Sequence, residues 1–166
     1  MSKEQKIILL DTNIWLDYLD VDRERHRAAV ALIEHADLSN NVELLCFGGS
    51  MKDIYYISHN KFKQDIRKDV GVLSESAAVA SNELAWASID AIDEIVTIIP
   101  CDMRTVWMAR KLKGICSDFE DCLLLAACEL ADVDFLVTND ERLQKIAPTK
   151  AADAETVLTL LQPFLD

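Results

Sequence analysis

Four glycines and three prolines are too few for a collagen-like or Pro/Gly-rich disordered chain. No apolar run approaches the ~20 residues a helix needs to cross a bilayer, so no membrane partner is expected. Before Asp11 there are only the apolar residues Ile7 to Leu10, too few for the core of a secretory signal, and the expected location is cytoplasmic. The five cysteines are odd in number and include no Cys-x-x-Cys pair. They read as reduced, mostly buried thiols. His26, His35 and His59 lack zinc-ligand spacing and read as surface or helix-flank residues.

Positive charge is the other shortage. Seventeen basic against 29 acidic side chains leave a net charge of −12, which argues against indiscriminate binding to polyanions. The deficit is uneven: residues 114–166 hold three basic and eleven acidic side chains. Two local basic stretches stand out, one at Lys52, His59, Lys61, Lys63, Arg67 and Lys68, the other at Arg104, Arg110, Lys111 and Lys113. Each reads either as a solvated helix face or as a phosphate-tracking edge beside an acidic centre. With 51 % apolar residues in 166, the chain can build one substantial core and one domain, residues 1–166.

Hydrophobic patterning predicts strands at 6–10, 42–47, 96–99 and 135–137. Helices are predicted at 12–20, after Asp22, after Ser50, from Ser74, over 102–112, over 118–131 and from Asp153 to Leu165. Gly48-Gly49 is expected to end the strand run before a capping box at Ser50-x-x-Asp53. Ser117-x-x-Glu120 and Thr138-x-x-Glu141 read as two more capping boxes. The polar residues 61–71 continue a helix or form a loop. In the long helix after Ser74, Leu73, Ala77, Ala80, Leu84, Ala87, Ala91 and Ile95 mark one apolar face. Strands alternating with helices imply a three-layer α/β sandwich around a mostly parallel sheet.

Such sheets bind ligands beyond the carboxyl ends of their strands. The residues there are acidic and hydrophilic: Asp11-Thr12-Asn13, Ser50 to Asp53, and Thr138-Asn139-Asp140. Asp118 and Asp121 add two carboxylates one helical turn apart. Capping accounts for single members. Four or five at one edge repel one another and call for cations, and hard oxygen ligands point to Mg²⁺ or Mn²⁺.

The segments LLDTNIWLDYL, SMKDIYYI and DFEDCLLLAACELADVDFLVTND resemble the PIN domain family, over about residues 6–145. That family includes toxins of VapC type and other nucleases. The resemblance implies a PIN-like fold and metal-dependent RNA hydrolysis, with Asp11, Asp121 and Asp140 as metal ligands. Asp118 resembles an extra acid found in a subset of the family. Thr12, Asn13 and Thr138 would orient carboxylates and waters at the cofactor site. Many members carry Glu at the central acidic position. Asp53 stands there instead, and Glu43 lies at the start of its strand.

The function expected is therefore a Mg²⁺/Mn²⁺-dependent endoribonuclease with catalytic Asp11, Asp53, Asp118, Asp121 and Asp140. An antitoxin protein and a second copy of the chain are expected partners. Tyr55, Tyr56 and Trp15 are candidates for the dimer surface. The alternative is a PIN-like regulatory domain that binds metal or RNA with little or no catalysis. A phosphoacceptor domain would want a Lys just after a late strand, and a phosphatase with two Asp separated by one residue fails at Asn13.

Overall fold

The structure, a computed structural model, describes residues 5–71 and 74–165. Five strands are present among them: β1 (Lys6–Leu10), β2 (Val42–Phe47), β3 (Thr97–Ile99), β4 (Phe135–Val137) and β5 (Lys150–Ala152). They form one sheet in the order β3-β2-β1-β4-β5, parallel at every pairing. The helices are α1 (Thr12–Leu19), α2 (His26–Asp37), α3 (Gly48–Val70), α4 (Glu75–Asp93), α5 (Met103–Leu112), α6 (Phe119–Leu130), α7 (Glu141–Ile146) and α8 (Ala154–Leu161).

Alternation along the central strand splits the core in two. Ile8 and Leu10 join Ile14, Leu32, Ile33 and Val157 on one face of the sheet. Leu9 joins Ala109, Leu125, Leu136 and Leu143 on the other. The result is the expected three-layer sandwich. Residues buried on both faces explain why β1 reads as an unbroken apolar run. No helix among the described residues is long and apolar enough to cross a membrane.

Several local expectations are corrected. Asp22 does not cap α2, which begins four residues later; its carboxylate lies 3.1 Å from Lys61 Nζ instead. Gly48 and Gly49 do end the strand run, which stops at Phe47, but the helix starts with them rather than at Ser50. They form the first turn of α3, directly after β2 and without a side-chain cap, so Ser50 caps nothing. Their role is close approach. A Cβ at Gly49 would sit 2.3 Å from the Phe47 ring, and one at Gly48 would sit 3.1 Å from the Ile99 carbonyl oxygen. The polar residues 61–71 continue α3 until Gly71, whose positive φ of 76° terminates it.

The buried face of α4 is Ala77, Ser81, Ala85, Ser88 and Ile92, whereas Leu84 stays 45 % exposed and Ala80, Ala87 and Ala91 are exposed too. Small residues let α4 lie close along α3, and Ser81 and Ser88 satisfy their hydroxyls on backbone carbonyls of their own helix. Leu73 lies outside the described residues. Strand β5 is unanticipated: Lys-Ala-Ala is too short to carry a pattern. The last helix ends at Leu161, followed by a 3₁₀ turn at Gln162–Phe164. Trp15 is wholly buried and cannot contribute to a dimer surface.

Candidate functional site

Parallel pairing puts the carboxyl ends of β1, β2 and β4 on one edge, and with them Asp11, the start of α3 and Thr138. Asp11 follows β1 and caps α1. Its Oδ1 accepts from Thr12 N at 2.6 Å. Its Oδ2 accepts from Asn13 Nδ2 at 2.6 Å and from the Thr138 hydroxyl at 2.6 Å. Thr138 Oγ1 accepts in turn from the Asp140 backbone N–H at 3.1 Å. Thr12, Asn13 and Thr138 thus all grip the Asp11 carboxylate.

These bonds favour the charged form, but burial and the negative charge of Asp121 outweigh them, and the Asp11 carboxyl is raised above its ordinary range. Asp121 lies in the first turn of α6 and is brought to Asp11 from 110 residues away. Both line a cleft of about 660 Å³ with Asp53, Glu120, Phe47 and Phe119. Asp53, in the second turn of α3, is 3.3 Å from Lys52 Nζ.

Asp118 and Asp140 do not line this cleft. Each is a helix N-cap, which corrects the assignment of Ser117 and Thr138 to those roles. Asp118 Oδ1 accepts from Glu120 N at 2.9 Å and Asp121 N at 3.1 Å. Asp140 Oδ1 accepts from Arg142 N at 2.8 Å and Leu143 N at 3.0 Å. A carboxylate is the better partner for the positive end of a helix, and the Thr138 hydroxyl is already committed to Asp11. Glu43 bonds Thr97, distant from the cleft.

Two further sets of residues escaped the sequence reading. Asp17, buried on α1, accepts from Asn139 Nδ2 at 2.6 Å and pairs with Arg23 at 2.5 Å. Asn139 N donates to Asn13 Oδ1 at 3.1 Å, so Asp17 steadies the residue that orients Asp11. The spacing of Asp17 from Asn13 on one helix face was the available signal. Arg142, at the start of α7, ion-pairs with Asp121 Oδ2. Nothing in the sequence links residues 121 and 142.

Within the first basic stretch, Lys61 contacts Asp20, Asp22 and Asp65, Lys68 contacts Asp65, and Lys52 lies beside Asp53. On α5, Lys111 lies 3.4 Å over the half-exposed Trp107 ring. The carboxylates facing the cleft have the donor chemistry that suits a hard divalent cation. Among the described residues, no three acidic, His or Cys side chains are close enough together to hold one as they stand. Arg142 ion-pairs with Asp121 Oδ2, which also lies 3.5 Å from the buried Cys116 Sγ.

Solved structures share this fold. One is VapBC2 from Rickettsia felis bound to a DNA fragment from their promoter. It aligns with TM-score 0.60 and 16 % identity over 89 % of this chain and 98 % of that one. Another is VapC20 of Mycobacterium tuberculosis, a sarcin-ricin loop cleaving toxin, with TM-score 0.61 and 12 % identity over 83 % and 93 % of the two chains. A third is DNA-bound VapBC from Salmonella typhimurium, with TM-score 0.59 and 15 % identity over 90 % and 99 %. No curated protein matches the sequence. The PIN domain family matches residues 7–142, and on that match, with the parallel sheet and the cleft at its carboxyl edge, the chain belongs to the PIN domain family.

Proposed function

We propose that the chain is a Mg²⁺- or Mn²⁺-dependent endoribonuclease acting at the cleft beside Asp11. The observation that carries this reading is the meeting of Asp11 and Asp121 in one cleft, near enough for the charge of one to raise the carboxyl of the other. A fold does not assemble like charges from distant segments for stability. In this reading Asp11 and Asp121 would hold the cation, with Asp53 on the cleft wall; Asp140 as a third ligand and Asp118 at the rim would both have to reach in from cap positions outside the cleft lining. A divalent ion held there would supply a water of lowered pKa and offset charge on the attacked phosphate.

The chain's own residues do the positioning. Thr12, Asn13 and Thr138 fix both oxygens of Asp11, and three donors keep it aimed. Lys52, on the cleft wall, offers a positive charge for the RNA backbone. Arg110 and Lys111, in the last turn of α5, would share the task, since the chain beyond that turn reaches α6 where Cys116 Sγ is 3.5 Å from Asp121 Oδ2.

Likeness to VapC20 and to two VapBC assemblies supports RNA as substrate and a toxin role restrained by an antitoxin protein. A homodimer through exposed apolar helical surface belongs to the same proposal; Tyr56 is 57 % exposed, with Tyr55 packed edge-on behind it. Light scattering that finds only monomer at high concentration would remove that part. A PIN-like scaffold with little or no catalysis is the second reading, and the pairing of Asp121 with Arg142 is the observation in its favour. Incubating the purified protein with a mixed RNA pool decides between them. The nuclease reading expects cuts with Mg²⁺ or Mn²⁺ and none with EDTA; intact RNA under all three conditions selects the scaffold.

A further inference from the structure

Asp121 is not left bare at the cleft. Its Oδ2 receives the guanidinium of Arg142, which reaches over from α7 to α6. The backbone of Arg142 is fixed, because its N–H is held by the Asp140 cap at 2.8 Å. Its side chain is 54 % exposed and has solvent as an alternative. An arginine cannot shed its charge, so it is a permanent counter-ion for a carboxylate that faces Asp11. With the Arg142 side chain 54 % and the Asp121 side chain 21 % exposed, the pair is part-screened by solvent, and opening it costs less than opening a buried one.

We propose that Arg142 is a latch on the unloaded site: it holds Asp121 until a divalent cation takes that carboxylate, then leaves it and is available to grip the RNA phosphate. The inference rests on the metal-nuclease reading above. The charge of Arg142 opposes a second cation on the same carboxylate, so Arg142 and a divalent ion compete for Asp121. The competition also accounts for acids that line one cleft without closing into a ligand set. Once off Asp121, the planar fork of a guanidinium suits two phosphate oxygens, where a lysine would present a point charge.

The test is calorimetric titration of Mn²⁺ into EDTA-stripped wild type, Arg142→Gln and Arg142→Lys. Arg142→Gln should bind Mn²⁺ roughly two- to fivefold more tightly, the fold-change of an exposed ion pair, while Arg142→Lys stays near wild type. At saturating Mn²⁺, KM for RNA should rise roughly tenfold or more in Arg142→Gln, with kcat changed less. A purely structural Arg142 would instead lower the melting temperature in EDTA and leave the Mn²⁺ affinity untouched. Equal affinity in wild type and Arg142→Gln overturns the latch and leaves the metal site standing. No Mn²⁺ binding by any of the three overturns the metal reading, and the latch with it.

Discussion

Asp11 and Thr138, at the carboxyl ends of two adjacent parallel strands, are joined by a 2.6 Å hydrogen bond in which the buried threonine hydroxyl donates to the carboxylate. The same hydroxyl accepts from the Asp140 backbone N–H, and the Asn13 amide lies 3.3 Å away. One side chain therefore ties β4, α1 and α7 to the acid that follows β1.

Replacing Thr138 by Val keeps the shape and removes the hydroxyl. The Asp140 N–H loses its acceptor and Asp11 loses one of three donors. The expected cost is about 1–3 kcal/mol, the penalty for buried polar groups left unpaired. Chemical denaturation of wild type and Thr138→Val measures it. A difference below ~0.5 kcal/mol would mean that water replaces the hydroxyl.

The raised Asp11 carboxyl fixes a pH dependence. Ionising Asp11 is harder in the fold than in the unfolded chain, chiefly because of burial. Its contribution to stability is therefore fully present below its ordinary value of 3.8 and is lost as pH rises through the folded value. Asp65, Asp102 and Asp153 are lowered by hydrogen bonds and lose stability in the opposite direction, as pH falls. Asp11→Asn removes only the first contribution. Melted in EDTA, the variant should gain on wild type as pH rises above 3.8, the ordinary value of Asp11. A difference in melting temperature that is flat over this rise in pH contradicts a strained Asp11 charge.

Gly49 tests the cleft wall. Its added Cβ would collide with the ring of Phe47, a buried residue that lines the cleft with it. Gly49→Ala should cost about 1–3 kcal/mol despite the better helix propensity of alanine. A thermal melt that shows stabilisation would mean the ring turns aside freely.

Asp118 separates capping from catalysis. Asp118→Ala should cost about 1 kcal/mol, and Asp118→Ser, which can cap, should restore most of it. Denaturation of the pair reads the cap. If Asp118→Ser folds as well as wild type and cuts RNA as fast, the carboxylate is a cap alone and its rim role is refuted.

Much of this was legible in sequence because local rules agreed. Ile7 to Leu10 followed by Asp-Thr-Asn reads as a buried strand turning into a capped helix, and so it is. The errors arose where two local rules compete. Ser117 and Asp118 are both good caps, and only the path of α6 selects the second. The double glycine ends the strand as expected, but it also opens the helix, where it serves close approach to Phe47 and Ile99. Ser81 and Ser88 look polar in a periodicity count but suit a tight α3–α4 contact by their size. At the site, the meeting of Asp11 with Asp121 followed from topology. The Arg142–Asp121 pair and the Asp17–Asn139 bond depend on side-chain reach across the fold, which no spacing rule encodes.

The central claim is that Asp11 and Asp121 act together in cutting RNA, and cleavage of a mixed RNA pool by wild type, Asp11→Asn and Asp121→Asn tests it most directly. Both substitutions remove a charge and preserve shape, and circular dichroism should find both variants folded. The account predicts cuts by wild type with Mg²⁺ or Mn²⁺, loss of them in EDTA, and no cuts by either variant. Cleavage by a folded Asp11→Asn or Asp121→Asn at the wild-type rate would contradict it.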